Sequence, residues 1–573
     1  MHPAQGAWQE VAKAANQFAF TYTLGLNISS ALVNLSAVPI VMVPYLSGKY
    51  GLANTTRATR AAYGLFLNSG FNTNLTTATG DVVSVKASPS IDNYFELKDV
   101  NGTGKMEYVL RTDLNLSEAQ KKQMQDMLPL VKLAAAQGLL SRSLTYDTLG
   151  LENFGQNKTM LDKLSMLQGL PFHMVERSNR QVSLMASYQM ELERMRKNPT
   201  EAEKSLTDAQ KQDKAAEAAA YMTAEMHGTH TLSTAPRYAQ SGLGRIAMMF
   251  KSYGLNIAYM QFKMLKQGCE NLFPGKDAAA RTLRNTAFKQ LLGLQLSTAL
   301  IAGVSGVPLY GLYRMVANMF LGDDDEDADM LTRKALGEWA FRGPLTQALG
   351  IDISSRTGLN DLLFRANPYA NTQSNADFVA ALIGGPAWST GNQFLSGLTE
   401  MKKAALGQGG NFERGLENML PPLPKNILKD IRFATEGART RRNDPVLSEL
   451  SPGQLMWQIT GFKPAELAQR EEVTRGIARM DKAVAQEKTL LLNRLNLAKS
   501  QGDRNEAAAV QGDIRAYNEK VRAKFPKMQI TADTIESSGK SFERVSTRTH
   551  NGVTFNPATE SYFSTLLRAY GAE

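Results

Sequence analysis

Apolar residues recur along most of this chain at steps of three and four, the spacing that lines one face of a helix. Trp8, Val11, Ala15, Phe18 and Tyr22 share such a face near the start. Between Lys13 and Lys49 there is no charged residue. A run of that length could cross a bilayer, for which about 20 apolar residues suffice. Asn16, Gln17, Gly25, Asn27, Asn34, Pro39 and Pro44 interrupt it. Each proline removes a backbone donor, so the run predicts kinked helices in protein core or at an interface in preference to one straight span.

Strict alternation replaces this spacing in YFELKDVNGTGKMEYVL, on either side of Asn101-Gly102, and predicts a β-hairpin. Helices resume at Ser117, where Gln120 completes a capping box, and a second box, Thr207 with Gln210, opens a polar, Ala-rich helix. Residues 158–196 read as two helices split at Gly169-Leu170-Pro171. The second carries a stripe of Val175, Ser178, Val182, Met185 and Leu192, with Glu176 and Arg180 paired outside it. The loop HGTHTLSTAPRYAQ leads to a long helix with Phe250, Tyr253, Ile257, Met260 and Met264.

Residues 290–313 again lack charge, and by apolarity they are the strongest transmembrane candidate in the sequence. Gly303, Gly306 and Pro308 would break such a span, and a buried central helix followed by a turn is the other reading. Beyond the acidic residues 323–329 the chain is rich in Gly and Pro to about residue 450. Ser451-Pro452-Gly453-Gln454 then starts a helix. Ile477, Met480, Val484, Leu491 and Ala498, a break at Gln501-Gly502, and Val510, Ile514, Tyr517 and Val521 predict an antiparallel helical hairpin. The tail after Pro526 is polar, with a short strand expected at 553–555.

The fold class expected is mainly α: an elongated multi-helix assembly with kinked apolar helices, a small β-hairpin insertion and a C-terminal antiparallel helical hairpin. Its parts are residues 1–80 (apolar kinked helices), 81–113 (β-hairpin insertion), 114–235 (helical), 236–330 (long helices with the uncharged segment), 331–450 (Gly/Pro-rich compact unit) and 451–573 (helical hairpin and polar tail).

Composition adds three constraints. At 573 residues the chain exceeds one compact core, and 43% hydrophobic with 21% charged residues is the balance of a folding protein. The net charge of +10 favours an acidic partner such as DNA or an anionic membrane. One cysteine, Cys269, excludes disulfide staples and cysteine metal clusters, and its apolar neighbours suggest packing. The start, MHPAQGAWQEV, has no basic region followed by an apolar run, so no signal peptide is expected. The 25 methionines suit cores that must fill irregular gaps.

Candidate chemistry is sparse. Glu225, His227 and His230 could seat a metal, but no third strong ligand stands at a convincing spacing, so capping or core roles are expected and no metal. A calcium loop begun at Asp323 would need Gly and Glu where Ala328 and Lys334 stand; one begun at Asp99 fails at Leu110. Gly242-x-Gly244 lacks a preceding strand and a third glycine. No Walker loop, Gly-x-Ser-x-Gly elbow or kinase set occurs. The expectation is a protein without catalytic residues or cofactor. Basic clusters at Arg237 with Arg245, and at Arg439, Arg441 and Arg442, are the candidate contacts for DNA or phosphate; helix capping and subunit pairing are the plainer readings of the same arginines.

Four stretches carry a resemblance: TLGLNISSALVNLSAVPIVMVPYLSGKYG, APRYAQSGLGRIAMMFKSYGLNIAYMQFK, RGPLTQALGIDISSRTGLNDLLF and ATEGARTRRNDPVLSELSPGQLMWQITGFKPAELAQR. In this order they resemble the C-terminal regions of large virion proteins of tailed bacteriophages: polyvalent proteins, including those with a PLxRFG signature, and ejection proteins packaged with the genome. Pro344-Leu345 is followed here by Thr-Gln-Ala. The resemblance spans most of residues 15–525. It implies an internal virion protein, held in the capsid or tail and then in the host envelope, that oligomerises and forms or supports a conduit for DNA. The partners it implies are further copies of itself, other internal virion, portal or tail proteins, phage DNA and the host membrane. The alternative is a non-membrane helical scaffold or accessory module of a larger virion enzyme.

Overall fold

The structure is a computed structural model that describes residues 22–23, 27–76, 82–86, 88–99, 104, 106–140, 160–228, 251–270, 278–308, 310–311, 313–314, 317, 328–357, 391–440, 444–523, 525–546, 549–550 and 553–554. The chain is mainly α. Strands among the described residues form four two-stranded antiparallel pairs. Two compact units divide the chain: Met1–Met319 with Ala328–Gln469, and Phe320–Asp327 with Arg470–Glu573.

The first unit opens with α1 (Ile28–Leu35), a π-turn (Val38–Met42) and α2 (Val43–Tyr50), which run on as one helical segment. Pro39 and Pro44 therefore do not break the helix. At the π-turn the Val43 N–H reaches back to the Val38 carbonyl, the wider spacing by which a helix absorbs a missing donor. Val38, Ile40, Val41, Met42 and Leu46 are buried. After α3 (Leu52–Asn68) come two hairpins. The one expected from Asn101-Gly102 pairs β3 (Phe95–Asp99) with β4 (Met106–Leu110). The other pairs β1 (Asn72–Thr76), at the end of the stretch expected to be helical, with β2 (Val82–Lys86), inside the expected β insertion.

Both capping boxes form, Ser117 with Gln120 on α4 (Glu118–Ala136) and Thr207 with Gln210 on α7 (Asp208–His227). Between them lie α5 (Met160–Lys197) and the single turn α6 (Glu201–Lys204). The split expected at Gly169-Leu170-Pro171 is overturned, because α5 continues through Pro171. Its central part also lacks a polar face: every residue from Ser178 to Tyr188 is buried, and the Glu176–Arg180 pair at 3.3 Å is itself largely enclosed. Helix α5 is enclosed because α1, α3 and α7 all pack on it.

Helices α8 (Lys251–Glu270) and α9 (Ala278–Ala302) complete this core with Ile257, Met260, Met264, Ala287 and Leu294. Trp8, Val11, Ala15, Phe18, Phe250 and the Gly242-x-Gly244 motif fall outside the described residues. Helix α9 stops at Gly303, whose φ of 73° belongs to the left-handed region. A Cβ there would lie 2.2 Å from the Phe341 carbonyl oxygen, so glycine is required twice over.

The chain then adds α10 (Ala328–Arg342), α11 (Pro344–Leu349), α12 (Ser354–Thr357), α13 (391–405), α14 (Phe412–Met419) and α15 (Pro422–Glu436). The pair β5 (Ala438–Arg439) and β6 (Pro445–Leu447) precedes α16 (Pro452–Thr460), which starts on the expected Ser451–Gln454 box. Three of the four resembling stretches meet here. Ile351, Ile353 and Phe462 pack with Val33, Ile301 and Trp457, Ile351 bridges Pro464, and Arg356 donates to the Gly461 carbonyl at 2.9 Å. Arg342 is 2% exposed and lies between Glu338 and Asp352.

In the second unit, the later part of α17 (Ala465–Gln501) turns at Gly502 into α18 (Arg504–Arg522), the expected antiparallel hairpin. Val484, Leu491, Leu495, Val510, Ile514, Tyr517 and Val521 form its seam. Ile477 does not belong to it, being 52% exposed. Two features of the tail were not expected: α19 (Ala532–Ser546) and the pairing of β7 (Thr549–His550) with β8 (Val553–Thr554).

Candidate interaction surface

Of the basic residues singled out from sequence, Arg237, Arg245, Arg441 and Arg442 fall outside the described residues. Arg439 is exposed on β5, and its Nε donates to the Glu436 carbonyl at 3.1 Å, a contact that closes a helix end. Cys269, expected to be packed, is exposed.

His230 also lies outside the described residues, and Glu225 and His227 turn to different partners. Nε2 of His227 lies 2.6 Å from Ser183 Oγ, both buried, and so fastens α7 to α5. Glu225 accepts from the hydroxyls of Tyr45 and Tyr221 and from Lys263. Burial would raise the Glu225 carboxyl, but the Lys263, Tyr45 and Tyr221 hydrogen bonds outweigh it and hold it below the usual range. Glu191 repeats the arrangement with Lys49, Tyr50 and Arg194: burial opposes ionisation, and the donors overcome it. A lysine and a tyrosine on each carboxylate satisfy buried charge, which is costly when unpaired. Among the described residues no three of His, Cys, Asp and Glu gather as a metal-holding group.

A shallow cleft beside α4 and α5 is lined by Gln123, Asp126, Tyr188, Gln189, Glu193 and Arg196. Its charges are engaged, since Arg196 spans Asp126 at 3.1 Å and Asp208 at 2.6 Å. Gln212 adds a bond to Asp126 at 2.9 Å.

Exposed apolar surface is where the molecule departs from an ordinary helical core. One helical run among the described residues, Ile28–Tyr50, has the length and apolarity to cross a membrane, with 23 residues that include an 18-residue stretch of mean hydropathy 1.6. Residues 290–313, ranked first from sequence, do not qualify, because α9 ends at Ala302. Instead α9 is two-faced. Ala287, Gln290, Leu294, Thr298 and Ala302 are buried. Phe288, Leu292, Leu296 and Leu300, four apart, form an exposed ridge, the leucines at 55–64%. The buried side sits closely on α2: a Cβ at Gly48 would meet Gln290, one at Gly293 would lie 3.2 Å from Pro44, and Gln290 Nε2 donates to the Tyr45 carbonyl at 2.7 Å.

The neighbouring α8 has the same character. Leu255, Tyr259, Phe262 and Leu265 are exposed, with Tyr259 at 66% and Phe262 at 64%. A contiguous apolar patch beyond a few hundred Å² marks a contact site on most monomeric proteins. The sequence signal for this surface was the absence of charge after Lys289, which identified the segment without telling its inner from its outer face. No family model, curated protein or solved structure matches the chain.

Proposed function

We propose that the chain is an internal virion protein of a tailed bacteriophage, ejected with the DNA, which oligomerises to form or support a conduit for the genome across the host envelope. The observation that carries this reading is the ridge of α9, an apolar helix face left open to solvent beside the like face of α8. Such a face suits a protein that is stored against one neighbour and delivered to another. The order of the four phage-like stretches supports the same role, as does the net charge of +10, which suits passage beside nucleic acid. No catalytic step is assigned to the chain.

The test is quantitative mass spectrometry of purified particles before and after triggered DNA release. The protein is expected in full particles and depleted from emptied ones. Absence from full particles, or retention after release, overturns the proposal. One observation favours the scaffold reading: the Ile28–Tyr50 run lies with Ile40, Val41, Met42 and Leu46 in the core. A scaffold would be present in the particle and stay there.

A further inference from the structure

We propose that α8 and α9 together dock in the plane of an anionic phospholipid bilayer, with the apolar ridges entering the acyl boundary and the basic residues resting at the headgroups. The proposal deepens the envelope step of the function given above and rests on it for the biological setting.

The two helices run antiparallel. Gln295 reaches Gln261 at 3.4 Å, and Gly268 leaves room for the Phe288 ring, which a Cβ would approach to 2.9 Å. The last turns of α8 therefore lie beside the middle of α9, at Phe288. On α8 the exposed ridge passes through Leu255, Tyr259 and Phe262 to Lys266; on α9 it passes from Arg281 through Phe288 to Leu292, Leu296 and Leu300. Lys266 and Arg281 thus stand on the same side of the leucines and aromatics of the two ridges, Lys289 lies beside Phe288, and Lys251 opens α8 at its other end. In an interfacial helix, leucine and aromatic rings enter the boundary and Lys or Arg meets phosphate.

Charge selects the occupant. Residues 251–302 hold seven Lys or Arg against two Asp or Glu, a balance of +5 and half of the chain's +10. Lys263 is engaged by Glu225, and Lys266 lies 3.7 Å from Glu270. Arg281 and Lys289 have no ion pair among the described residues, and Arg284 meets Asn285. A second copy would set this excess against its own like charge, which disfavours docking, whereas anionic headgroups neutralise it. The opposite face of α9 is already packed, so docking needs no rearrangement of the core.

The experiment is flotation of the purified full-length chain with vesicles of phosphatidylglycerol and phosphatidylethanolamine, against vesicles of phosphatidylcholine alone. An environment-sensitive fluorophore on Cys269, the single thiol and exposed on α8, gives a second readout that needs no destabilising substitution. Binding to the anionic vesicles with a blue shift is expected, weakening as salt rises. The pair Leu292→Glu and Leu296→Glu should cut affinity by more than about tenfold with unchanged circular dichroism, since each ten-fold step is about 1.4 kcal/mol. Arg281→Ala with Lys289→Ala should weaken anionic binding by several-fold and leave neutral vesicles unaffected. No binding by the native chain, or full binding by the leucine variant, overturns the proposal. So does a leucine variant that loses self-association and keeps its lipid affinity, which would give the face to a second copy. The particle measurement is independent: vesicle binding by a protein absent from virions would end the ejection role and leave this surface standing.

Discussion

The Ser297 hydroxyl donates to the Ile40 carbonyl at 3.0 Å, across the interface between α9 and the apolar run that contains Pro44. In an unbroken helix Ile40 would receive the N–H four residues on, and that residue is Pro44, which has none. A neighbouring helix thus supplies the donor that the sequence removed. Ser297→Ala removes this donor, which also reaches the Leu294 carbonyl at 3.2 Å, and should cost about 0.5–1.5 kcal/mol. In a Pro44→Ala background, where the backbone donor returns, the same substitution should cost close to nothing. A double-mutant cycle on urea midpoints measures the difference. All four tryptophans lie within the residues of the first unit, so their fluorescence follows that unit. Equal costs in the two backgrounds would remove this explanation.

Gly303 and Gly337 share a left-handed backbone, with φ of 73° and 76°, and differ in what surrounds them. A Cβ on Gly303 would strike the backbone of Phe341, Arg342 and Gly343, whereas one on Gly337 meets nothing within 4 Å. Gly337→Ala should therefore carry only the conformational cost, about 1–2 kcal/mol. Gly303→Ala adds overpacking of about 1–3 kcal/mol more. Thermal unfolding of the two variants side by side checks the order, and similar melting temperatures would contradict the close approach.

These cases show which features could be read from the chain alone. The boxes at Ser117, Thr207 and Ser451 are local, each fixed by two residues three apart, and all three form as the sequence implies. The effect of Pro44 or Pro171 is not local, because whether a helix survives a missing donor depends on what packs beside it. Helix α19 is not legible in the sequence, because Ile535, Phe542 and Val545 make only a thin stripe among polar residues. On α9 the buried Leu294 and the exposed Leu292 and Leu296 are chemically alike, so only packing separates core from surface.

Acid should loosen the first unit. Glu191 and Glu225 are held below the usual carboxylate value by their donors, and Glu203, bonded first by Arg194, is lowered from 4.5 to about 2. A depressed folded value means that the stabilisation is complete above the unfolded value and is lost as pH falls through the folded one. The melting temperature should therefore hold from pH 7 to about 5 and decline steadily below 4.5. Glu225→Gln should lower stability at pH 7 and flatten this decline, because the variant has one fewer carboxylate to protonate. A profile as steep as the native one would show that Glu225 contributes nothing to it.

Ile514 and Ile477 both fall on apolar spacing in the C-terminal sequence, yet the second unit buries one and exposes the other. Ile514 lies in the seam with Val484, Leu491 and Tyr517. Tyr517 donates towards the Val484 and Met528 carbonyls at 3.3 and 3.2 Å, and Asn518 clasps the Ile530 N–H and carbonyl at 2.7 and 2.9 Å. The seam and the returning chain are thus held at adjacent positions of α18. Ile514→Ala should cost about 2–5 kcal/mol, the range for a cavity in a packed core. Asn518→Ala, which leaves the Ile530 groups without partners, should cost about 1–3 kcal/mol. Ile477→Ala should stay within about 0.5 kcal/mol, as expected for an exposed position. Tryptophan is absent from this unit, so hydrogen exchange of the α18 amides followed by mass spectrometry is the suitable readout. Faster exchange in the first two variants and native exchange in the third would match the seam. Equal acceleration by Ile477→Ala would mean that its side chain is buried by a contact other than the hairpin.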